Sequence, residues 1–172
     1  GSVIDSAKSI AAGYFSENIW DAYERKAAIK KALPIFTILT LSATGSEMNS
    51  FAVLTNAQDK LAIGADCLYP KVSIIDPNVQ LTLPWKQTAY GAVDALAHIM
   101  EYYFMGKNEE TVLALDESLM RSIIKSTDKL LINEKNLASR NDLAWAATLA
   151  LNGVSGAMLR GGDWASHEIE HG

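Results

Sequence analysis

The spacing of apolar and polar residues changes near residue 80. Before that point, short apolar and β-branched runs alternate with polar turns, a pattern typical of strands. From Thr82 onward, apolar residues recur every three or four positions, as on the buried face of a helix. The chain is therefore predicted to be α/β over residues 1–81 and all-α over residues 82–172.

The first predicted element is a helix over residues 3–13, which Gly13 can end. Its apolar face is formed by Val3, Ala7, Ile10 and Ala11. Ser2 and Asp5 lie in its first turn. They could either cap this helix or contact a ligand at its positive end.

Strands and further helices follow in separate blocks. Strands are predicted at residues 34–41, 51–55, 60–64 and 71–75. The first strand is apolar and β-branched almost throughout, as expected of a central strand that is covered on both faces. The second and third flank a polar turn and predict a hairpin. Helices are predicted at residues 85–105, 109–131 and 136–154, and from about residue 163.

A turn rich in hydroxyl groups, residues 42–47, follows the first strand. Thr44 and Glu47 have the spacing of a capping box, which predicts a helical turn. The carboxyl end of a buried strand is also where open α/β sheets bind their ligands. The residues alone leave both interpretations open.

Composition and charge exclude several classes of partner. The 172 residues are 49% hydrophobic, which is enough for a sizeable core. A formal net charge of −5 and the lack of a Lys/Arg stripe give no basis for binding nucleic acid. The single cysteine, Cys67, rules out an intrachain disulfide and fits a reducing compartment. No leader peptide or apolar run of the ~18 residues that a membrane span needs is evident, so we expect a cytoplasmic protein without membrane contact.

Candidate chemistry centres on Asp94 and His98, which lie four residues apart and so share one face of a predicted helix. Such a pair is either a paired core histidine or two ligands of one divalent metal ion. His167 and His171 repeat this spacing. One aspartate with two or three histidines from facing helices suits Fe(II) or Zn(II), so the repetition favours a metal site.

A competing motif overlaps the second pair, because His167, Glu168 and His171 fit the pattern H-E-x-x-H. In a zinc metalloprotease both histidines would bind the metal and Glu168 would activate water. This alternative leaves Asp94 and His98 without a role.

Five stretches carry a more specific signal through their order and spacing: Gly1 to Asp5, Leu39 to Asn49 with Asp59-Lys60, Asp76-Pro77 to Leu83-Pro84, Asp94 to His98, and Gly162 to His167 with His171. Together they resemble the iron-containing (group III) alcohol dehydrogenases, and among these the NAD(P)H-dependent butanol dehydrogenase and aldehyde reductase branch. The resemblance runs along essentially the whole chain. It implies the end of a Rossmann-like dinucleotide-binding domain followed by the first part of a helical metal-binding domain.

The resemblance also implies an activity, which is hydride transfer between NAD or NADP and a small primary alcohol or aldehyde, in a protein that is a homodimer at full length. Asp94, His98 and His167 would be ligands of Fe²⁺ or Zn²⁺. His171 would be a non-ligand histidine beside the nicotinamide, able to relay a proton. The cofactor would be lined by Gly1, Ser2, Asp5, Thr40, Thr44, Ser46, Asn49, Lys60, Val79 and Thr82.

Two departures from the family pattern limit this expectation. The family's first βα units would precede residue 1, and its fourth metal ligand, a histidine some ten residues after His171, would lie beyond Gly172. We therefore expect the chain to be a central piece of a longer protein that alone binds dinucleotide and metal poorly. An inactive structural fragment is the remaining alternative.

Overall fold

Sheet elements precede three long helices along the chain. The computed structural model describes residues 1–57, 59–159 and 161–165 together with residues 167 and 169. Its elements are α1 (Ser2–Gly13), α2 (Trp20–Tyr23), β1 (Phe36–Ile38), β2 (Phe51–Asn56), β3 (Asp59–Gly64), β4 (Val72–Ile74), α3 (Trp85–Tyr103), α4 (Glu110–Ile132) and α5 (Leu137–Ala150). This order confirms the prediction of an α/β part followed by helices.

The chain forms two compact units. The first, called here the sheet unit, comprises Gly1–Ile38 and Ser46–Ile74. The second, the helical unit, comprises Leu39–Gly45 and Ile75–Gly172. Residues 39–45 therefore belong to the helical unit although they directly follow β1. The division of the sequence at residue 81 stays a prediction.

The sheet unit contains two strand pairs. β1 runs parallel to β4, with Phe36 opposite Val72, and β2 pairs antiparallel with β3. The second pair confirms the predicted hairpin. The expectation that β1 is covered on both faces is wrong for the described residues, because Phe36 is 69% exposed and Ile38 is 58% exposed. β4 is the one strand paired with β1 in the described part of the chain, and only the side carrying Thr37 is buried.

Helix α1 forms where the pattern predicts it, but its buried face combines three polar side chains with two alanines. Asp5, Lys8 and Ser9 are buried, whereas Val3 is 83% exposed and Ile10 is 72% exposed. The buried polar groups have specific partners; for example, Ser9 Oγ lies 2.6 Å from the hydroxyl oxygen of Tyr23. These hydrogen bonds offset the cost of burying the polar side chains of α1.

The core of the helical unit lies between α3, α4 and α5. Its buried residues are Ala92, Ala95, Ile99, Leu119, Ile123, Leu130, Leu143, Ala146, Ala147 and Ala150. Alanine at five of these positions allows the helix backbones to approach closely, while leucine and isoleucine fill the remaining volume. None of the helices in the described ranges has the length and apolar character needed to span a membrane.

Two glycines allow residues 39–45 to lie close to two helices of the same unit. A Cβ added at Gly91 of α3 would lie 2.1 Å from the carbonyl oxygen of Ser42, a distance that no side chain tolerates. Gly45 has a φ of +60°, and its Cβ would lie 3.3 Å from the carbonyl oxygen of Thr148 in α5. Ser42 Oγ also donates to Gln80 Oε1 at 3.0 Å. The loop is therefore fixed to α3, α5 and the turn containing Gln80.

One fully buried residue of α4, Asp116, carries a carboxyl group. Asp116 is fully buried, and neither carboxyl oxygen has a hydrogen-bond partner among the described residues. Burial raises the pKa of this carboxyl group from its ordinary value to about 7. Because the unfolded chain loses this proton at a lower pH than the folded chain, stability falls as the pH rises from about 4 to about 7.

Asp116→Asn should therefore raise the free energy of unfolding more at pH ~8 than at pH ~5, with a difference of about 2 kcal/mol. Denaturant unfolding followed by far-UV circular dichroism measures both values. Asp128→Asn is the matched control, since Asp128 is an exposed aspartate of the same helix. An equal effect of Asp116→Asn at both pH values would contradict the assignment of a buried, proton-binding carboxyl group.

Candidate metal centre

Three of the predicted ligands converge in the helical unit. Asp94 and His98 lie one turn apart on α3, and Asp94 Oδ2 is 3.7 Å from His98 Nδ1. On the other side of the same carboxylate, Asp94 Oδ1 is 3.8 Å from Nε2 of His167. One candidate ligand atom from each residue falls within 4.8 Å of the other two. Donor atoms about 2.1 Å from one ion lie roughly 3 to 3.5 Å apart, so a small inward adjustment would place all three on one cation.

The environment of His98 fits metal binding better than a simple core pairing. Burial, and next the neighbouring His167, lower the pKa of His98 to about 4, so its ring is neutral near pH ~7. Its Nδ1 is buried and has no hydrogen-bond partner among the described residues. The 3.7 Å separation from Asp94 exceeds a hydrogen bond. Two imidazoles and one carboxylate are a donor set that suits Fe²⁺ or Zn²⁺.

Glu101 is a site residue that the sequence reasoning missed. It lies on α3 and is 2% exposed. Its Oε1 accepts from the backbone N–H of His167 at 3.1 Å, and its Oε2 lies 2.6 Å from His167 Nδ1. The available signal was spacing, because positions 94, 98 and 101 fall on one face of the helix.

Trp164 covers the two histidine rings. Its ring centroid lies 5.8 Å from that of His167 and 6.5 Å from that of His98, both in edge contact. The Trp164 backbone has a φ of 58°, which is unusual for a bulky residue. A Cβ at Gly162 would come within 3.0 Å of the indole ring, so glycine there leaves room for Trp164. No periodicity in the sequence indicates this contact.

Several predicted cofactor residues cluster in the sheet unit, around Lys8. Asp5 accepts from Ser46 Oγ and, at 3.1 Å, from the backbone N–H of Val53, rather than capping α1. Lys8 Nζ donates to the backbone oxygen of Asn49 at 2.9 Å and to its Oδ1 at 3.1 Å. Burial lowers the pKa of Lys8 to about 8, against the opposing effect of nearby carboxylates. The structure thus joins Asp5 to Ser46 directly and joins Asn49 to Lys8, a buried lysine that sequence reasoning missed.

The other predicted cofactor residues differ in how far they are exposed. Within the sheet unit, Gly1 and Lys60 are half-buried and Ser2 is exposed. Within the helical unit, Thr44 is half-buried, and the exposed residues are Thr40, Val79 and Thr82. These assignments to the cofactor stay predictions. His171 and Glu168, and with them the proton relay and the H-E-x-x-H motif, lie outside the described residues.

Comparison with known proteins gives one consistent result. Residues 1–77 match the family model described as iron-containing alcohol dehydrogenase, and residues 88–172 match the C-terminal model of the Fe-containing alcohol dehydrogenase family. A probable NADH-dependent butanol dehydrogenase of Bacillus subtilis is 43% identical over 99% of this chain. The NADPH-dependent aldehyde reductase of Escherichia coli is 37% identical over 99% of this chain.

Solved structures agree with this result. The crystal structure of an NADH-dependent butanol dehydrogenase A from Thermotoga maritima has a TM-score of 0.97 and 53% identity over 99% of this chain, which covers 44% of that structure. The chain likewise spans 45% of the Bacillus relative and 46% of the Escherichia relative. These relatives give the metalloprotease interpretation no support. Because the two family models match in order along nearly the whole sequence, the chain belongs to the iron-containing alcohol dehydrogenase family.

Proposed function

We propose that the whole protein is a metal-dependent oxidoreductase that transfers a hydride between NAD(P)(H) and a small primary alcohol or aldehyde. The observation that carries the proposal is the convergence of Asp94, His98 and His167 at one point in the helical unit. The relatives named as butanol dehydrogenases and an aldehyde reductase support the substrate class. They also support a nicotinamide cofactor, since their names include NADH and NADPH.

The side chains of the centre have separable tasks. A divalent cation bound there supplies Lewis acidity toward the oxygen of the substrate. Asp94 provides the negative charge that retains the cation. His98 and His167 bind as neutral donors, so the centre keeps a net positive charge. The edge contacts of Trp164 with both rings exclude water from one side of the ligand set.

The finer assignments belong to the same proposal. Fe²⁺ or Zn²⁺ is the metal, a histidine beyond this chain is its fourth ligand, and His171 relays the proton. The cofactor, NAD or NADP, contacts the residues predicted from the family pattern, and the polar cluster around Lys8 supports this role for Asp5, Ser46 and Asn49. The whole protein is proposed to be a cytoplasmic homodimer.

Removing the metal tests the proposal. Treating the whole protein with a chelator and then desalting it should lower NADH- or NADPH-dependent reduction of butyraldehyde by about 100-fold or more, because the substrate oxygen is no longer polarised. Adding back Fe²⁺ without oxygen, or Zn²⁺, should restore the activity. Loss of nicotinamide absorbance gives the rate, and elemental analysis gives the metal content. Full activity in metal-free protein, or none in the metal-loaded protein with either cofactor, would contradict the proposal.

A further inference from the structure

We propose that Glu101 is a positioning residue that holds His167 in the tautomer and orientation in which its Nε2 can bind a metal. The inference rests on the proposed function, because it takes Asp94, His98 and His167 as ligands. It assigns a specific task to a buried carboxylate that the ligand set does not use. Helix α3 would then supply two ligands and also the support for a third.

The contacts between Glu101 and the segment that carries His167 are extensive. The Glu101 side chain bonds both the backbone N–H and the ring of His167, at 3.1 Å and 2.6 Å. Its backbone oxygen accepts from the backbone N–H of Asp163 at 3.0 Å. One residue of α3 therefore holds the backbone N–H groups of Asp163 and His167 and the ring of His167.

The ring contact determines which nitrogen is available. A carboxylate only accepts hydrogen bonds, so the hydrogen of a neutral His167 ring lies on Nδ1, which donates to Glu101 Oε2. The lone pair is then on Nε2, the atom that lies 3.8 Å from Asp94 Oδ1. In the other tautomer, a hydrogen on Nε2 would point toward the remaining ligands and block metal binding. Outer carboxylates commonly orient histidine ligands in this way.

Glu101 is better placed as a support than as a ligand. Both of its carboxyl oxygens contact His167, one through the main chain and one through the ring. The cluster of converging donor atoms in the described part of the chain contains Asp94, His98 and His167 without Glu101. Removal of Glu101 should therefore weaken the metal site mainly through His167.

Metal affinity in the whole protein tests this role, with Co²⁺ as the probe and a competing chelator as the reference. Glu101→Ala should weaken Co²⁺ binding about 10- to 100-fold. Glu101→Gln should weaken Co²⁺ binding less than Glu101→Ala does. The carbonyl oxygen of glutamine can still accept a hydrogen bond from His167 Nδ1, although its NH₂ group cannot accept one from the His167 backbone N–H. Glu117→Gln is the matched control and should leave the affinity unchanged, since Glu117 accepts from the Tyr103 hydroxyl at 3.0 Å outside the ligand set.

A double-mutant cycle separates positioning from general destabilisation. In a His167→Ala background, Glu101→Ala should weaken Co²⁺ binding much less than it does in the parent, because the residue through which it mainly acts is gone. Imidazole ¹⁵N NMR of the metal-free protein adds a readout independent of metal. It should show the Nδ1–H tautomer of His167 in the parent and a mixture, or the Nε2–H tautomer, in Glu101→Ala.

Three results would overturn the inference: unchanged Co²⁺ affinity in Glu101→Ala, an equal loss in the presence and absence of His167, or an unchanged His167 tautomer. None of these measurements involves an alcohol or a nicotinamide. A protein that needs Glu101 for Co²⁺ binding but transfers no hydride would refute the proposed function and leave the positioning role intact.

Discussion

Asp94→Asn should lower both metal affinity and hydride transfer by about 1000-fold or more in the whole protein. Asp94 faces both histidines, with one oxygen 3.7 Å from His98 Nδ1 and the other 3.8 Å from His167 Nε2. The substitution keeps the shape of the side chain but removes the charged donor of the set. Loss of one unit charge within about 4 Å of a cation is worth roughly 4 kcal/mol at an effective dielectric constant of ~20, which corresponds to about 1000-fold. Elemental analysis and the butyraldehyde reduction rate measure the two effects.

Glu168→Gln is the informative companion to Asp94→Asn. Under the proposed dehydrogenase activity, Glu168 has no part in the chemistry, and its substitution should change the rate less than about threefold. In an H-E-x-x-H peptidase, Glu168→Gln would have the larger effect and Asp94→Asn the smaller one, because Glu168 would activate the attacking water. Full metal content and full hydride transfer in Asp94→Asn would refute the metal site described above.

Gly91→Ala should destabilise the helical unit by about 3 kcal/mol or more, and loosen residues 39–45. Alanine normally stabilises a helix interior relative to glycine by roughly 1 kcal/mol. Here the new Cβ would lie 2.1 Å from the carbonyl oxygen of Ser42, so α3 and the loop must separate. Gly91→Ala should therefore lower the free energy of unfolding, whereas the same change in an ordinary helix interior raises it. Denaturant unfolding gives the stability change, and nucleotide titration reports on the loop, which carries the predicted cofactor residues Thr40 and Thr44.

Gly13→Ala supplies the matched control. Gly13 is also helical, but its added Cβ would meet Ile19 Cβ at 3.6 Å, which is an ordinary van der Waals contact. This variant should be neutral or slightly more stable than the parent. If Gly91→Ala behaved like Gly13→Ala, the close approach of the loop to α3 would be wrong.

The spacing of apolar and polar residues was sufficient to predict the helices and strands, but not which of their faces would be buried. The helical period placed Asp94 and His98 on one face of α3, and the strand–turn–strand pattern predicted the β2–β3 hairpin. The same reasoning failed for β1, because the composition of a strand does not specify how many neighbours cover it. Exposure of Phe36 and Ile38 depends on tertiary context.

Buried polar residues were the least predictable part of the site. Lys8 and Glu101 look like ordinary charged positions on amphipathic helices, and charged side chains are usually exposed. Their burial depends on partners far along the chain; Lys8 bonds Asn49, 41 positions away, and Glu101 bonds His167, 66 positions away. The pairing of Asp94 with a histidine from another segment could be suspected from repeated spacing, but spacing gives no distance between segments.

The attachment of residues 39–45 to α3 has a thermodynamic consequence. The Ser42 carbonyl oxygen lies against Gly91, and the proposed metal ligand Asp94 follows three residues later on the same helix, so the loop packs directly beside the turn that carries Asp94. If a nucleotide contacting Thr44 shifted the loop, the contact between Ser42 and Gly91 would be the direct route from that shift to the helix that carries Asp94. Binding free energies are coupled reciprocally, so a nucleotide that tightened metal retention would itself bind more tightly once the metal was present.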